Sequence, residues 1–414
     1  MNSLMSGGCG AEHGLITVDQ ALNLILQKSK SLATESLGLN RALNRYLAQD
    51  VYSAINLPLF SQSAVDGYAL CAQSAIEPHS EFKLIGEIRA GQQDELQLQA
   101  GQAVRIFTGA QIPCGTTTVA RQEIVKVLDS SKIAITESLN VHADIRDVGE
   151  EISIGQQLAH KGQQLSVGAI ASLSMAGIQS VEVFQYPKVA VVITGDEVAE
   201  SIADFVTGKI FDANGPLIEA WFQKEGQQVE IFHVADTEDA VKALIQKLSQ
   251  SYDLILTTGG VSVGDYDFIR PVALDLGFEQ VFWKVKQKPG KPMFFADLIR
   301  DDQTHCYLLG LPGNPAAVYV GMQIYTATLL NALQGQKQSP QWFSAVLSQD
   351  VKMDSRERFL RMSASFDQAV LTVKSLSKQQ SHMLSNLMQA NCLVRIPAGQ
   401  SMLEGQIVHG LFIH

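Results

Sequence analysis

The chain has 414 residues, 46% hydrophobic and 18% charged, with a formal net charge of −11 at pH 7. This composition excludes the disordered and fibrous classes, and the length exceeds what one core serves, so two to four globular domains are expected. The acidic balance argues against nucleic acid as a partner, and a small anionic ligand would need a local basic pocket.

Residues 1 to 14, small and polar, predict a loose tail. No basic region precedes a long apolar run, and no stretch reaches about 18 uninterrupted apolar residues, so a soluble, cytoplasmic protein with no membrane partner is expected. Cys9, Cys71, Cys114, Cys306 and Cys392 are scattered without CxxC spacing, which fits reduced thiols and gives no zinc or disulfide signature.

Thr17 and Gln20 have capping-box spacing, and Val18, Ala21, Leu22, Ile25 and Leu26 follow at helical intervals, predicting a helix. Leu39, Ala42, Leu43, Tyr46 and Leu47 repeat the pattern and predict a second. From about Val51 to Asn140, β-type runs such as "FKLIGEI" and "TTVARQEIVKVL", separated by turn residues, predict a mainly antiparallel β module. A helix capped by Ser166 is expected to run through Ala176 and stop at Gly177.

Residues 188 to 333 alternate strand and helix. "KVAVVIT" precedes a helix begun by Pro216, "QVEIFHVA" one starting near Asp236 or Thr237, and "DLILTTGG" another. "CYLLGLPGNP" precedes a long helix through about Leu333. This order predicts a mostly parallel sheet covered on both faces, with ligand beyond the carboxyl ends of the strands. From Ser339 to His414 short strands return and predict a small β-barrel or sandwich.

On such a sheet "TGDE" (194 to 197), "TTGGVSVGDYD" and "GLPGNP" (310 to 315) lie side by side. Gly259 and Gly260 permit positive φ and close backbone approach, with amides able to face an anion. Gly313 and Pro315 would leave a helix start open to phosphate. Each pair alone reads more readily as a tight turn; the three together shift the balance toward a ligand site. Neither GxGxxG at a strand-to-helix turn nor GxxxxGK[ST] occurs.

"KVKQKPGKP" gathers Lys284, Lys286, Lys288 and Lys291. It fits a solvated edge hairpin, but Pro289, Gly290 and Pro292 would stiffen it into an oxyanion site. Glu197, Asp236, Asp265 and Asp267 all fall at expected strand ends. Singly, Asp236 reads as a helix cap and Asp265 as a loop acid; together they could hold Mg²⁺, which takes a few carboxylates plus substrate phosphate and water. Asp66 and Gly67 in "SQSAVDGYAL" read as a turn, with nothing in the chain joining them to the sheet.

"SAVDGYAL", "RIFTGAQIP", "VGEEI", "TGDE", "TTGGVSVGDYDF", "KPGKP" and "LPGNP", in this order and approximate spacing, resemble the MoeA and gephyrin E-domain family of molybdopterin molybdenumtransferases over nearly the whole chain. The resemblance implies a homodimeric four-domain enzyme that inserts molybdenum from molybdate into the dithiolene of adenylylated molybdopterin, releasing AMP with the help of a divalent metal, Mg²⁺. The fold implied is multidomain α/β plus β. An α+β connecting domain would comprise residues 1–50 and 141–182, a β-rich module 51–140, a doubly wound α/β molybdopterin-binding domain 183–336, and a C-terminal β-barrel domain 337–414. The active site would lie in a cleft between subunits. The molybdopterin adenylyltransferase and molybdoenzyme apoproteins would be further partners.

By matching motifs, the catalytic acids implied are Asp66, Glu197, Asp236 and Asp267, with Asp236, Asp265 and Asp267 at the metal. The same match puts substrate at Lys284, Lys288 and, in "QQSHML", Ser381, with Thr108 beside Asp66; Gly259, Gly260, Ser262, Lys291, Gly313 and Asn314 of the loops above are the further expected contacts. Ser61, Val65, Glu151 and Ala213 depart from the family pattern. Two other readings share these features: a molybdopterin adenylyltransferase, which resembles a single small domain and would consume ATP, and a non-catalytic molybdopterin-binding scaffold.

Overall fold

A computed structural model describes residues 14–91, 96–195, 198–199, 209–262, 264 and 267–413. Apart from Gly14, the expected tail lies outside them. The chain divides into two compact units, Ser36–Val183 and the combination of Met1–Glu35 with Phe184–His414.

In the larger unit, six strands form a sheet in the order Glu230–Val234, Val189–Thr194, Leu254–Thr258, His305–Leu311, Phe294–Ile299, Glu279–Trp283. The first four are mutually parallel; Phe294–Ile299 runs antiparallel to both its neighbours, because its short connection to His305–Leu311 makes a hairpin rather than a crossover. Val189 to Ile193 are all buried, as a strand covered on both faces requires. Val189, Val191, Ile193, Leu254 and Leu256 pack on one side with helices Val18–Lys28, Asn214–Lys224 and Pro315–Leu333. Ala190, Val192, Ile255 and Leu308 pack on the other with Glu238–Leu248 and Ile269–Asp275. Two helix layers on one sheet make this domain doubly wound.

Thr17 caps the first helix, accepting from Gln20 N at 3.2 Å while Gln20 Oε1 accepts from Thr17 N at 2.9 Å. Pro315 opens the last helix at its first position, where its missing N–H costs nothing. That helix is long and apolar enough to cross a membrane, yet most of it is buried as a core element of this unit. The helix expected at Pro216 begins earlier, at Asn214, because the Asp212 carboxylate reaches forward to its first amides.

The C-terminal strands close on themselves. Glu357–Asp367 pairs with both Val370–Ser375 and Cys392–Ile396, and Ile407–Phe412 and Phe343–Leu347 complete a five-stranded barrel. Leu347, Leu360, Met362, Val373, Val394 and Val408 fill it. The structure therefore selects the barrel over the sandwich, and closure leaves no exposed edge among these five strands.

In the smaller unit, six strands pair in the order Thr118–Arg121, Gly67–Leu70, Gln102–Ile106, Glu81–Ile88, Lys132–Ile135, Val125–Asp129, all antiparallel except Glu81–Ile88 with Gln102–Ile106. The helix Val167–Met175 is capped by Ser166 and stops at Gly177, which has φ +79°. The second expected helix, over 39–47, does not form; Leu39–Arg41 makes one 3-10 turn. Its amides are claimed from afar: Asn44 N donates to Leu165 O, Leu47 N to Gln163 O and Ala48 N to Glu182 O, at 2.8 to 3.0 Å. Apolar residues at helical intervals here serve a core of irregular chain, and tertiary bonds override the local period.

Candidate active site

Strands Val189–Thr194, Leu254–Thr258 and His305–Leu311 end side by side. Gly195, Gly259, Gly260, Gly313, Asn314 and Pro315 beyond them line one cavity of about 700 Å³. Gly259 and Gly260 have φ of +86° and +65°. A Cβ would stand 2.6 Å from Thr194 Oγ1 at the first and 2.7 Å from Ile269 Cγ1 at the second, so close packing as well as turning requires glycine. The Gly259 amide is not open to an anion: it donates to Leu311 O at 3.0 Å.

The helix start at Pro315 is likewise closed. Pro315 has no N–H, Ala316 N donates to Ser381 O at 3.0 Å, and Ala317 N and Val318 N donate to Asn314 O at 2.8 and 3.0 Å. The expected phosphate cradle of helix amides is thus already satisfied. Ser381 reaches this helix through its carbonyl, and its neighbours His382 and Leu384 line the cavity. Asn214 Nδ2 donates to Gly313 O at 2.9 Å, linking two of the cavity's loops.

Asp236 and Asp267 line the same cavity. Asp267 is held by a tight turn: its Oδ2 accepts from Gly264 N at 2.6 Å and its own N–H donates to Gly264 O at 3.1 Å. Asp236 is not the cap of the following helix, whose N-cap is Thr237. Glu197 and Asp265 lie outside the described residues. Among the described residues no three His, Cys, Asp or Glu side chains cluster to hold a metal. Asp236 and Asp267 still fit a hard cation such as Mg²⁺, which takes one or two carboxylates and completes its shell with substrate oxygens and water.

Sequence reading missed Asp212, which lines the cavity and caps Asn214–Lys224: its Oδ1 accepts from Asn214 N at 2.8 Å and Gly215 N at 3.0 Å. Its Oδ2 lies 3.6 Å from His233 Nε2. The signal was an acid two residues ahead of a helix. Exposed Ile210 and Phe211, also missed, give the cavity an apolar wall.

The lysine segment is no solvated hairpin. Gln287 is fully buried, donating from Nε2 to Pro289 O at 3.1 Å and Gly290 O at 3.3 Å while its Oε1 accepts from the Tyr325 hydroxyl. That clamp fixes the "KPGK" turn. Lys288 then donates to Asp354 Oδ2 at 2.8 Å, and this bond holds the Asp354 carboxyl below the usual carboxylate range. Lys284 Nζ lies 4.1 Å from the Trp283 ring centroid, and Lys291 O accepts from Val285 N at 2.9 Å. Lys284, Lys288, Lys291 and the exposed Ser262 are not among the residues that line the cavity.

In the smaller unit, Asp66 Oδ1 accepts from both Thr108 N, at 2.8 Å, and Thr108 Oγ1, at 2.9 Å. These bonds, backbone first, lower its pKa against the opposing effect of burial, with the Arg105 charge assisting. Gly67 is a strand residue rather than the second half of a turn: a Cβ there would lie 2.0 Å from Ala120 O.

Residues 16–177 match the MoeA N-terminal region (domain I and II), 190–332 a probable molybdopterin binding domain, and 344–411 the MoeA C-terminal region (domain IV). The chain is 33% identical over 403 residues to a molybdopterin molybdenumtransferase of Staphylococcus epidermidis, covering 95% of this chain and 94% of that one. It is 34% identical over 390 residues to one of Haemophilus influenzae, covering 92% and 94%. The molybdopterin biosynthesis MoeA protein of Pyrococcus horikoshii superposes with a TM-score of 0.80 at 25% identity, covering 96% of this chain and 100% of that one. With full-length relatives, three matched regions and the fold in agreement, the chain belongs to the MoeA family of molybdopterin molybdenumtransferases.

Proposed function

We propose that this protein inserts molybdenum from molybdate into the dithiolene of adenylylated molybdopterin, releasing AMP, as a step of molybdenum cofactor biosynthesis. The observation that carries the reading is the cavity beyond the parallel strands, where Gly259, Gly260 and Gly313 meet Asp236 and Asp267. It lies within the region that matches a probable molybdopterin binding domain.

In this reading the loop glycines leave room for the nucleotide-linked pterin, and Ile210 and Phe211 pack against its apolar surface. Asp236 and Asp267, with Glu197, orient water toward the phosphoanhydride, and Asp236 and Asp267, with Asp265, would hold Mg²⁺. That cation, when bound, would neutralise charge on the phosphate oxygens. Lys284, Lys288 and Lys291 supply positive charge for molybdate or phosphate, with Ser262, Asn314 and Ser381 as further polar contacts. Asp66, its pKa lowered by Thr108, is a further catalytic acid in this reading. We take the enzyme to be a cytoplasmic homodimer with four domains divided as the sequence suggests, its further partners being the adenylyltransferase and molybdoenzyme apoproteins.

The test is release of AMP by purified protein given adenylylated molybdopterin, molybdate and Mg²⁺. Molybdate-dependent release is expected, and its absence would sink the reading. Asp267→Asn should lower turnover at least 100-fold with the far-UV spectrum unchanged. An adenylyltransferase would instead consume ATP with unmodified molybdopterin; the family match beyond the molybdopterin-binding region, at 16–177 and 344–411, disfavours it.

A further inference from the structure

Trp283 ends the edge strand Glu279–Trp283, and its ring receives two cations. Arg270 Cζ lies 4.2 Å and Lys284 Nζ 4.1 Å from the ring centroid. Its indole Nε1 donates to Val261 O at 3.0 Å, immediately after the glycine pair of the cavity loop. One side chain thus joins a cavity loop to a lysine that lies outside the cavity wall.

The backbone at Lys284 explains how neighbours in sequence come to stack. Successive side chains of a regular strand point to opposite faces, so the ammonium of one residue does not reach the ring before it. Lys284 has φ +70°, in the left-handed region that L-residues with a Cβ avoid. The kink is pinned on both sides: Lys284 N donates to Met293 O at 2.9 Å, and Lys284 O accepts from Ile16 N at 3.3 Å. A held departure from ordinary backbone geometry is a mark of functional sites, and here its product is an ammonium seated on an aromatic face.

We infer that Trp283 is a positioning residue for the proposed transfer. It sets the Lys284 ammonium at a fixed offset from Val261 and the glycine pair before it, so that an oxyanion of the substrate meets a pre-placed charge. The ligand class is a tetrahedral oxyanion, either molybdate or the phosphate of the adenylylated pterin. The substrate half of this inference rests on the proposed function; the placement of Lys284 by Trp283 does not.

The experiment compares Trp283→Phe, Trp283→Leu, Lys284→Met and the double variant Trp283→Leu/Lys284→Met, each checked for folding by circular dichroism. Trp283→Leu should raise KM about 3- to 10-fold with a smaller change in kcat. Whether KM rises for molybdate or for the adenylylated pterin tells which oxyanion Lys284 meets. Trp283→Phe, which keeps a π face but loses the bond to Val261, should recover part of the loss. The double variant should be no worse than Lys284→Met alone, since Trp283 acts through that lysine. Losses that simply add would overturn the inference.

An arm independent of activity follows acetylation of Lys284 by acetic anhydride, read by peptide mass spectrometry against the exposed Lys286. The ratio should rise about 3-fold in Trp283→Leu and stay near wild type in Trp283→Phe. An unchanged ratio in Trp283→Leu would overturn the placement. A wild type that shows this acetylation pattern but no molybdate-dependent AMP release would overturn the substrate reading and leave the placement supported.

Discussion

Thr108 does most to hold the Asp66 carboxyl below its ordinary pKa. Both donors of Thr108 converge on a single carboxylate oxygen, so removing the hydroxyl takes away one of two charge-favouring bonds. Thr108→Val should therefore raise the Asp66 pKa, measurable by carbon-13 titration of the labelled carboxyl group; no change would assign the depression to the backbone bond alone. The sign for stability follows. A carboxylate whose folded pKa is depressed contributes stability above its unfolded pKa and loses it as pH falls through the folded value. The variant should show a smaller loss of stability in that acid window. Gly259→Ala belongs to the same scale: a positive φ costs a Cβ residue about 1–2 kcal/mol, and the approach to Thr194 Oγ1 adds to it. Urea unfolding should show at least that loss, and a neutral result would mean the loop relaxes.

Among the elements, the segment 284–292 shows how a charge-rich stretch is made rigid. Its anchor is the uncharged Gln287, whose three bonds include one from Tyr325 in the long core helix. Tyr325→Phe leaves the Gln287 Oε1 without that donor in a fully buried site, which should cost about 1–3 kcal/mol in chemical denaturation. It should also loosen the turn that carries Lys288, raising the rate at which Lys288 is acetylated. Elements with strong local signals were legible before folding: Thr17 and Gln20 at one helix start, Ser166 and Gly177 at the ends of another, Pro315 at a third. The apolar spacing over 39–47 misled because periodicity records which residues are buried without saying what covers them. Here the covering partners are residues 163–183, more than a hundred positions away.

At the scale of the larger unit, the barrel and the first helix are joined by an ion triad. Arg395 is bonded to Glu357 at one side and to Asp19 Oδ2, at 2.8 Å, on the other. Burial opposes its charge, but the two carboxylates outweigh that and push its pKa further up, so it stays charged at all working pH. Arg395→Met would strand Glu357, only 13% exposed, and should cost about 3–5 kcal/mol in urea unfolding. Adding Glu357→Gln should restore part of it; no restoration would mean that packing rather than charge is at stake.

The order of the candidate site was readable in the chain because a parallel sheet imposes it. Strands that alternate with helices must end together, so loops far apart in sequence had to share one edge, and Gly259, Gly260, Gly313, Asp236 and Asp267 do line one cavity. Which amides remain open, which acid caps a helix and which lysine faces which partner could not be read that way. Those depend on hydrogen bonds a few ångströms long between residues remote in sequence, such as Ala316 with Ser381, Asp354 with Lys288 and Trp283 with Val261. Periodicity and turn chemistry act over a few residues and so are written in the sequence, whereas the final partner of each polar group is chosen only when distant segments compete for it.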